Sequence, residues 1–128
     1  MSSLCALVLA AGEGSRLRPI TASRPKALCP IGNVSLLDRA LARLARNGFS
    51  GPALVAVNAC YLADQVAEQV GERAHMSVEP GPPALGTAGA VACPWRSWAQ
   101  TAALATPAPR AACGRAVKVY IGVRIGDV

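Results

Sequence analysis

Aromatic side chains are scarce in this sequence. One Phe, two Trp and two Tyr make up 4% of its 128 residues, which is too few for the stacking platform that single-stranded nucleic acids require. The sequence is nonetheless 52% hydrophobic, and most of that content is Ala, Val and Leu. Such a composition favours a folded protein over a disordered one. Its small side chains are typical of α/β domains, in which helices lie close on a sheet.

Closely spaced cysteines and long apolar runs are also missing. The five cysteines are odd in number, are widely spaced and include no C-x-x-C pair, so neither a zinc site nor a disulfide framework is expected. Reduced cysteines in a cytoplasmic protein are the better interpretation. The apolar run at residues 4–11 has no Lys or Arg before it and is too short to span a bilayer. We interpret this run as a buried strand.

Acidic residues are absent between Glu79 and Asp127, although they occur throughout the preceding part of the chain. The net charge of +6 favours anionic partners such as phosphates, nucleic acids or membrane surfaces. Residues 1–92 contain eight basic and six acidic residues, whereas residues 93–128 contain five and one. Because the excess lies mainly in the tail, we expect neither a nucleic-acid nor a membrane partner.

Strand-like and helix-like patterns alternate along residues 1–92. The continuous apolar run at 4–9 is typical of a parallel strand covered on both faces. Ser35 with Asp38 three residues later predicts the start of a helix, and Asn47-Gly48 predicts its end. Further strands are predicted at 53–57 and 76–78, a helix at 61–73, another helix beginning at 86, and a half-exposed strand at 117–125. The alternation predicts an α/β fold, with a Rossmann-like, mostly parallel sheet and flanking helices.

A segment rich in Gly, Pro, Ser, Thr and Arg joins the first strand to the first helix, at residues 12–33. We predict a long functional loop there rather than a regular element. Gly12 and Gly14 directly follow a buried strand, so their amides should lie at the carboxyl edge of the sheet, where ligands of open α/β sheets bind. Arg16 can clamp phosphate oxygens there, and Lys26 can supply a mobile positive charge.

Two commoner glycine motifs do not fit this loop. The dinucleotide-binding pattern G-x-G-x-x-G requires Gly where Leu17 stands, and the P-loop pattern requires a Lys directly after its second Gly. A G-x-G after a strand is by itself often only a structural turn. Arg18, Arg24 and Glu13 are interpreted as solvated loop charges.

Two residues outside the loop have their own interpretations. His75 follows a predicted helix end and is interpreted as a surface residue. Asn58 either caps the second helix or has a functional role, and the sequence leaves both readings open.

Two motifs together are more specific than either alone. The chain reads G-x-G-x-R-L-x-P-x-T from Gly12 to Thr21, and R-P-K-x-L-x-P from Arg24 to Pro30. This resembles the signature of the sugar-1-phosphate nucleotidyltransferases, which include glucose-1-phosphate thymidylyltransferases and mannose-1-phosphate guanylyltransferases. Residues 57–64 look like the family's second strand and helix, and residues 85–90 look like its G-T-A-G segment. The resemblance covers roughly residues 4–92.

The resemblance implies a reaction and a set of site residues. A sugar-1-phosphate attacks the α-phosphorus of a nucleoside triphosphate, and nucleotide sugar and pyrophosphate form. Such transfers depend on positioning and charge neutralisation more than on covalent catalysis. By matching positions, Arg16 and Lys26 are the catalytic candidates. The nucleotide-binding candidates are Ala10, Ala11, Gly12, Gly14, Ser15, Glu79, Gly86 and Thr87.

The later part of the chain departs from the family pattern. The family carries an aspartate, on the strand after the G-T-A-G helix, that holds Mg²⁺, and this chain has no acidic residue between Glu79 and Asp127. The resemblance therefore implies Mg²⁺ as a cofactor, but the aspartate that would bind it is not found in this sequence. A truncated nucleotidyltransferase fold is predicted, with residues 1–92 as its nucleotide-binding part. Residues 93–128 are predicted to be an atypical tail, hypothetically from a frameshift. The competing function is an inactive or non-catalytic nucleotide-binding fragment, and the oligomeric state is left open.

Overall fold

The fold is an α/β arrangement around a parallel sheet. The computed structural model describes residues 4–81 and 115–119. The elements in chain order are β1 (Leu4–Leu9), β2 (Pro30–Ile31), β3 (Val34–Ser35), α1 (Leu36–Arg46), β4 (Val55–Ala59), α2 (Ala63–Val70), β5 (His75–Val78) and β6 (Arg115–Val119). The main sheet has the strand order β5-β4-β1-β6, and every neighbouring pair in it is parallel. The predicted mostly parallel sheet with helices is confirmed.

The hydrophobic core lies between one face of this sheet and the two helices. Side chains alternate between the faces of a strand, so every second residue of β1 and β4 points toward the helices. The core members are Ala6, Val8 and Ala10 of the β1 segment, Val55, Val57 and Ala59 of β4, Leu37, Leu41 and Leu44 of α1, Val66 and Val70 of α2, and Ala27 and Ala74. Leu37 is fully buried, and burying a side chain of that size stabilises the fold by about 1.5–3 kcal/mol.

Helix α1 begins and ends where the sequence predicts. Ser35 is its N-cap, with the amide of Asp38 donating to Ser35 Oγ at 3.0 Å and Ser35 Oγ donating to Asp38 Oδ2 at 2.9 Å. Asn47 is the C-cap, and Gly48 follows with a φ of 86°.

The second strand lies two residues later than predicted, at Val55–Ala59, and the second helix is shorter than predicted at both ends, at Ala63–Val70. Residues 51–54 form a turn, in which the amides of Leu54 and Val55 donate to the carbonyl of Gly51, so β4 starts two residues after residue 53. Leu62 adopts the left-handed conformation with a φ of 49° and is the N-cap of α2. The helix therefore cannot begin at residue 61. His75 is the first residue of β5, and its side chain is partly exposed.

A short hairpin interrupts the segment predicted as an irregular loop. Strands β2 and β3 are antiparallel and are joined by Gly32 and Asn33, whose φ values are 58° and 64°. Two consecutive positive φ angles are the requirement of a type I′ hairpin turn. The rest of the segment contains three 3-10 turns, at Ser15–Leu17, Ile20–Ala22 and Lys26–Leu28.

Strand β6 pairs with β1 along its whole length, from Leu4 opposite Arg115 to Val8 opposite Val119. Residues 117–119 of the predicted strand at 117–125 lie in β6. The remaining part of that prediction, like the helix predicted to begin at residue 86, lies outside the described residues. Among the helices of the described part, none is long and apolar enough to cross a membrane.

Candidate functional site

The segment after β1 leaves the sheet at its carboxyl edge, between the ends of the neighbouring strands β4 and β6. The amide of Ala10 donates to the carbonyl of Asn58 at 2.9 Å, which extends the pairing of β1 with β4 by one residue. Ala10 and Ala11 are buried, whereas Gly12 and Glu13 are exposed. The predicted glycine loop therefore begins where the chain passes from the sheet interior to the surface.

Gly14 is the residue whose conformation and packing require glycine. Its φ is 63° and its ψ is 38°, in the left-handed region that side chains disfavour. A Cβ atom on Gly14 would lie 3.0 Å from Lys26 Cβ and 3.0 Å from Thr21 Cγ2. The stem of Lys26 is thus brought directly against the glycine loop. Gly12 has neither constraint, since nothing lies within 4 Å of its Cβ position and its φ is not positive.

The loop presents a run of backbone donors. Within the described part of the chain, the amides of residues 12–16 donate no hydrogen bond. The chain bonds to itself again at Leu17, whose amide donates to the carbonyl of Gly14 at 2.9 Å. Consecutive unbonded amides around a left-handed residue form a concavity that binds anions.

Thr21 connects the two halves of the loop. Its hydroxyl donates to the carbonyl of Gly14 at 2.7 Å, and its side chain is fully buried. Tyr61 in turn holds the Thr21 segment, because its hydroxyl donates to the carbonyls of Thr21 at 2.8 Å and Ala22 at 3.2 Å. Gln65 of α2 donates to the carbonyl of Ser23 at 3.1 Å. The sequence gives no local signal for the roles of Tyr61 and Gln65, and for Thr21 it gives only the place of this residue in the first motif.

The positive side chains of the loop differ in their surroundings. Arg16 is exposed in the 3-10 turn Ser15–Leu17 and makes no ion pair with any residue of the described ranges. Lys26 is half-buried at the start of the turn Lys26–Leu28. Arg18 lies 3.8 Å from Glu13 in a solvent-exposed pair, and Arg24 is exposed. The interpretation of Arg18, Arg24 and Glu13 as solvated loop charges is consistent with these positions.

A buried polar pair lies at the same edge of the sheet. Asn58, at the end of β4, donates from Nδ2 to Glu79 Oε1 at 3.0 Å. The two side chains are 0% and 3% exposed. The reading of Asn58 as a helix cap is wrong, because Leu62 caps α2 and the Asn58 amide points to Glu79. Asn58 Oδ1 is buried without a hydrogen-bond partner in the described part of the structure. Next to this pair, burial and the charge of Glu79 raise the pKa of the Cys60 thiol, which favours its neutral form.

The described residues do not provide a metal site. No group of three or more His, Cys, Asp or Glu side chains in residues 4–81 and 115–119 is arranged to hold an ion. At the carboxyl edge, Glu79 is engaged with Asn58 and Glu13 lies near Arg18. These carboxylates do not form the oxygen-rich, open arrangement that Mg²⁺ prefers. Two nucleotide-binding candidates, Gly86 and Thr87, lie outside the described residues.

A central parallel strand followed by an amide-rich, left-handed loop with basic side chains is an arrangement in which α/β proteins commonly bind phosphate groups. The family model described as nucleotidyl transferase matches residues 5–104. The chain therefore belongs to the nucleotidyl transferase family.

Two relatives carry the same name, N-acetylmuramate alpha-1-phosphate uridylyltransferase. The protein from Caulobacter vibrioides is 44% identical over 61 residues, which are 48% of this chain and 24% of that protein. The protein from Neisseria meningitidis serogroup B is 33% identical over 92 residues, which cover 68% of this chain and 38% of that protein.

The fold is also that of a solved structure from Bacillus anthracis, determined in complex with sucrose and named as a glucose-1-phosphate thymidylyltransferase. It superposes with a TM-score of 0.64 at 22% identity, over 74% of this chain and 39% of that one. At this identity the likeness concerns the fold. The chain spans between a quarter and two fifths of the length of these three proteins.

Proposed function

We propose that this chain binds a nucleoside triphosphate at the glycine loop and takes part in transfer of its nucleotidyl group to a sugar-1-phosphate, with release of pyrophosphate. The observation that carries the proposal is the run of unbonded amides at residues 12–16. It lies at the carboxyl end of a parallel strand that has neighbours on both sides. Polyphosphates match such donors in charge and in number.

The phosphate-binding roles follow the geometry of the loop. Gly12, Gly14 and Ser15 would donate amide hydrogen bonds to phosphate oxygens. Arg16, which is exposed and has no carboxylate partner in the described part, would pair with charge that develops on the leaving pyrophosphate. Lys26, held against Gly14 by packing of its stem, would neutralise charge near the reacting phosphorus.

The nucleoside would lie beside this loop, along the buried end of the sheet. Ala10 and Ala11 offer small apolar surfaces there, and Glu79 is a candidate for a hydrogen bond to the base. Gly86 and Thr87 are proposed to border the base and ribose, from the resemblance of their segment to the family motif. The relatives named above include uridylyl and thymidylyl enzymes, and we leave the base and the sugar open.

Mg²⁺ would enter with the nucleotide rather than occupy a protein site in the described residues. Mg²⁺ is commonly bound largely through substrate phosphates and water. The described carboxylates at the sheet edge do not fit the ion, so no step of the proposed reaction depends on a protein-held metal. The roles given to Arg16 and Lys26 concern charge neutralisation by the protein itself.

A non-catalytic nucleotide-binding role is the second candidate. It is favoured by the absence of acidic residues between Glu79 and Asp127, because the family resemblance implies an aspartate for Mg²⁺ in that part of the chain. The chain also covers only 24% and 38% of the two uridylyltransferases that it matches. Both candidates share the phosphate loop and differ in whether a sugar-1-phosphate is consumed.

We propose a cytoplasmic location for either function. The cysteines of the described side chains, Cys29 and Cys60, are free thiols, which suits a reducing compartment. Nucleoside triphosphates and sugar phosphates are water-soluble small molecules, so neither function requires a nucleic-acid or membrane partner.

Pyrophosphate release separates the two candidates. The chain is incubated with Mg²⁺, each of the common nucleoside triphosphates in turn and a panel of sugar-1-phosphates. The transferase proposal predicts pyrophosphate release that requires the sugar-1-phosphate and falls by roughly a hundredfold in Arg16→Ala, the scale of losing one charge-stabilising donor. Nucleotide binding without any sugar-dependent pyrophosphate would support the non-catalytic role and contradict transfer by this chain.

A further inference from the structure

We propose that Thr21 is a positioning residue that sets the direction of the Gly14–Ser15 peptide, so that the Ser15 amide faces the bound phosphate. The proposal deepens the phosphate-binding function above and rests on it for the identity of the ligand. Its own basis is the pair of hydrogen bonds received by one carbonyl oxygen. That oxygen, Gly14 O, accepts from Thr21 Oγ1 at 2.7 Å and from the Leu17 amide at 2.9 Å.

These two bonds hold the carbonyl on the protein side of the loop. The only cis peptide in the described chain is Arg18–Pro19, so the Gly14–Ser15 peptide is trans. In a trans peptide the C=O and N–H bonds point in opposite directions. A carbonyl fixed toward Thr21 and Leu17 therefore turns the Ser15 N–H away from them, and that amide donates to no group in the described part of the chain.

The alternative orientation of this peptide is open to glycine. Gly14 already has a φ of 63°, and glycine populates several ψ values at positive φ without a Cβ clash. Rotation of the peptide would exchange the N–H for the C=O on the ligand side. A carbonyl oxygen there carries partial negative charge and would repel a polyphosphate, so keeping the peptide in one orientation matters for affinity.

Thr21 is itself held by a residue from a distant part of the chain. Tyr61, forty residues later, donates its hydroxyl hydrogen bond to the Thr21 carbonyl at 2.8 Å. Thr21 is fully buried, and its methyl group contacts the space that a Gly14 side chain would fill. Thr21 is thus fixed from two sides, by packing of its methyl group against the loop and by the Tyr61 hydrogen bond to its backbone carbonyl.

Thr21→Val tests the role of the hydroxyl because it removes the donor and keeps the branched shape. Thr21→Ser is the conservative rescue, since it keeps the donor and removes the methyl group. Arg73→Ala is the control for general destabilisation. It removes the ion pair between Asp38 of α1 and Arg73 in the turn after α2, and no hydrogen bond or ion pair of Arg73 involves the loop. All variants are made in the full chain.

Two measurements are compared across these variants. The first is amide hydrogen exchange at Leu17 in the ligand-free chain, which reports whether Gly14 O stays in place. The second is the affinity for inorganic triphosphate by calorimetry, which is independent of the base. In Thr21→Val, we expect the amide hydrogen of Leu17 to exchange about tenfold faster than in the wild type. We also expect this variant to bind triphosphate about tenfold more weakly. Thr21→Ser and Arg73→Ala should match the wild type in both.

Other results would contradict either the positioning role of Thr21 or the proposed phosphate-binding function. Wild-type exchange and affinity in Thr21→Val would overturn the positioning role. Equal losses in Thr21→Ser would overturn it too, because the methyl group rather than the hydroxyl would then be responsible. If the exchange pattern is as expected but the wild-type chain binds no triphosphate, the positioning of the peptide stands and the proposed function fails.

Discussion

At the residue scale, the glycine loop depends on two glycines for different physical reasons. Gly14 has a positive φ and no room for a Cβ atom, whereas Gly12 has neither restriction. A motif search treats the two positions alike. The structure separates them into one residue required by the fold of the loop and one required, in our proposal, by the approach of the ligand.

Substitution with alanine separates these two roles. Gly14→Ala should lower the free energy of unfolding by about 1–2 kcal/mol, from the left-handed conformation alone, and more if Lys26 cannot move aside. Gly12→Ala should leave it within about 0.5 kcal/mol of the wild type, as for an unconstrained surface site, while weakening nucleotide binding. Urea unfolding and calorimetry measure the two quantities. Equal destabilisation by both substitutions would contradict the assignment.

At the element scale, helix α1 was predictable and the start of α2 was not. The signals for α1 are local: Ser35 and Asp38 form the N-terminal cap, and Gly48 follows the C-terminus. The start of α2 depends on Leu62 in a left-handed conformation that its side chain disfavours. Only the tertiary fold explains that choice, because Tyr61 beside it reaches the Thr21 segment.

The candidate site likewise has features that the local sequence predicts and contacts that only the tertiary fold reveals. A strand followed by Gly12 and Gly14 indicates a phosphate loop from the sequence alone. The links that hold the loop, from Tyr61 to Thr21 and from Gln65 to Ser23, join residues about forty positions apart. No local pattern encodes such pairs. The role of Asn58 was left open for the same reason, since its partner Glu79 directly follows another strand, β5.

The two helices are joined by a network around one carboxylate. Asp38 Oδ1 lies 2.6 Å from Arg73 Nη2, and Asp38 Oδ2 accepts from Gln69 Nε2 at 2.7 Å and from Ser35 Oγ at 2.9 Å. Burial alone would raise the pKa of Asp38. The hydrogen bonds from Arg73, Ser35 and Gln69, together with the charge of Arg73, outweigh burial and lower that pKa below its ordinary 3.8.

This pKa shift predicts a pH dependence of stability. Because the folded state holds the ionised carboxylate more strongly, its stabilisation is fully present above pH 3.8 and is lost as the pH falls through the lowered folded pKa. Asp38→Asn should therefore be less stable than the wild type at pH 7, and the difference should shrink in that acid range. Urea unfolding at several pH values measures it, with Asp64→Asn, an exposed change outside the network, as control. A difference independent of pH would contradict the network.

At the scale of the whole molecule, the described sheet places β1 between two parallel neighbours. This central position gives the glycine loop a rigid base, since β1 is bonded to β4 on one side and to β6 on the other. The fold class followed from the alternation of strand and helix patterns. The position of β6 beside β1 could not be predicted, because the local sequence pattern of a strand does not determine its neighbours in the sheet. The division at residue 92 and the frameshift origin of residues 93–128 remain predictions, and the coding DNA read in its other frames tests them.

The central claim is that the glycine loop binds a nucleoside triphosphate. The most direct test is calorimetric titration of the full chain with each common nucleoside triphosphate, with and without Mg²⁺. Arg16→Ala is the test variant, and Arg46→Ala, an exposed arginine in the last turn of α1, is the matched control. We predict that Arg16→Ala weakens binding by roughly ten- to a hundredfold, equivalent to about 1.5–3 kcal/mol for a hydrogen bond to a charged group, and that Arg46→Ala binds as the wild type. A folded wild-type chain that binds none of the nucleotides, or equal losses in the two variants, would contradict the account.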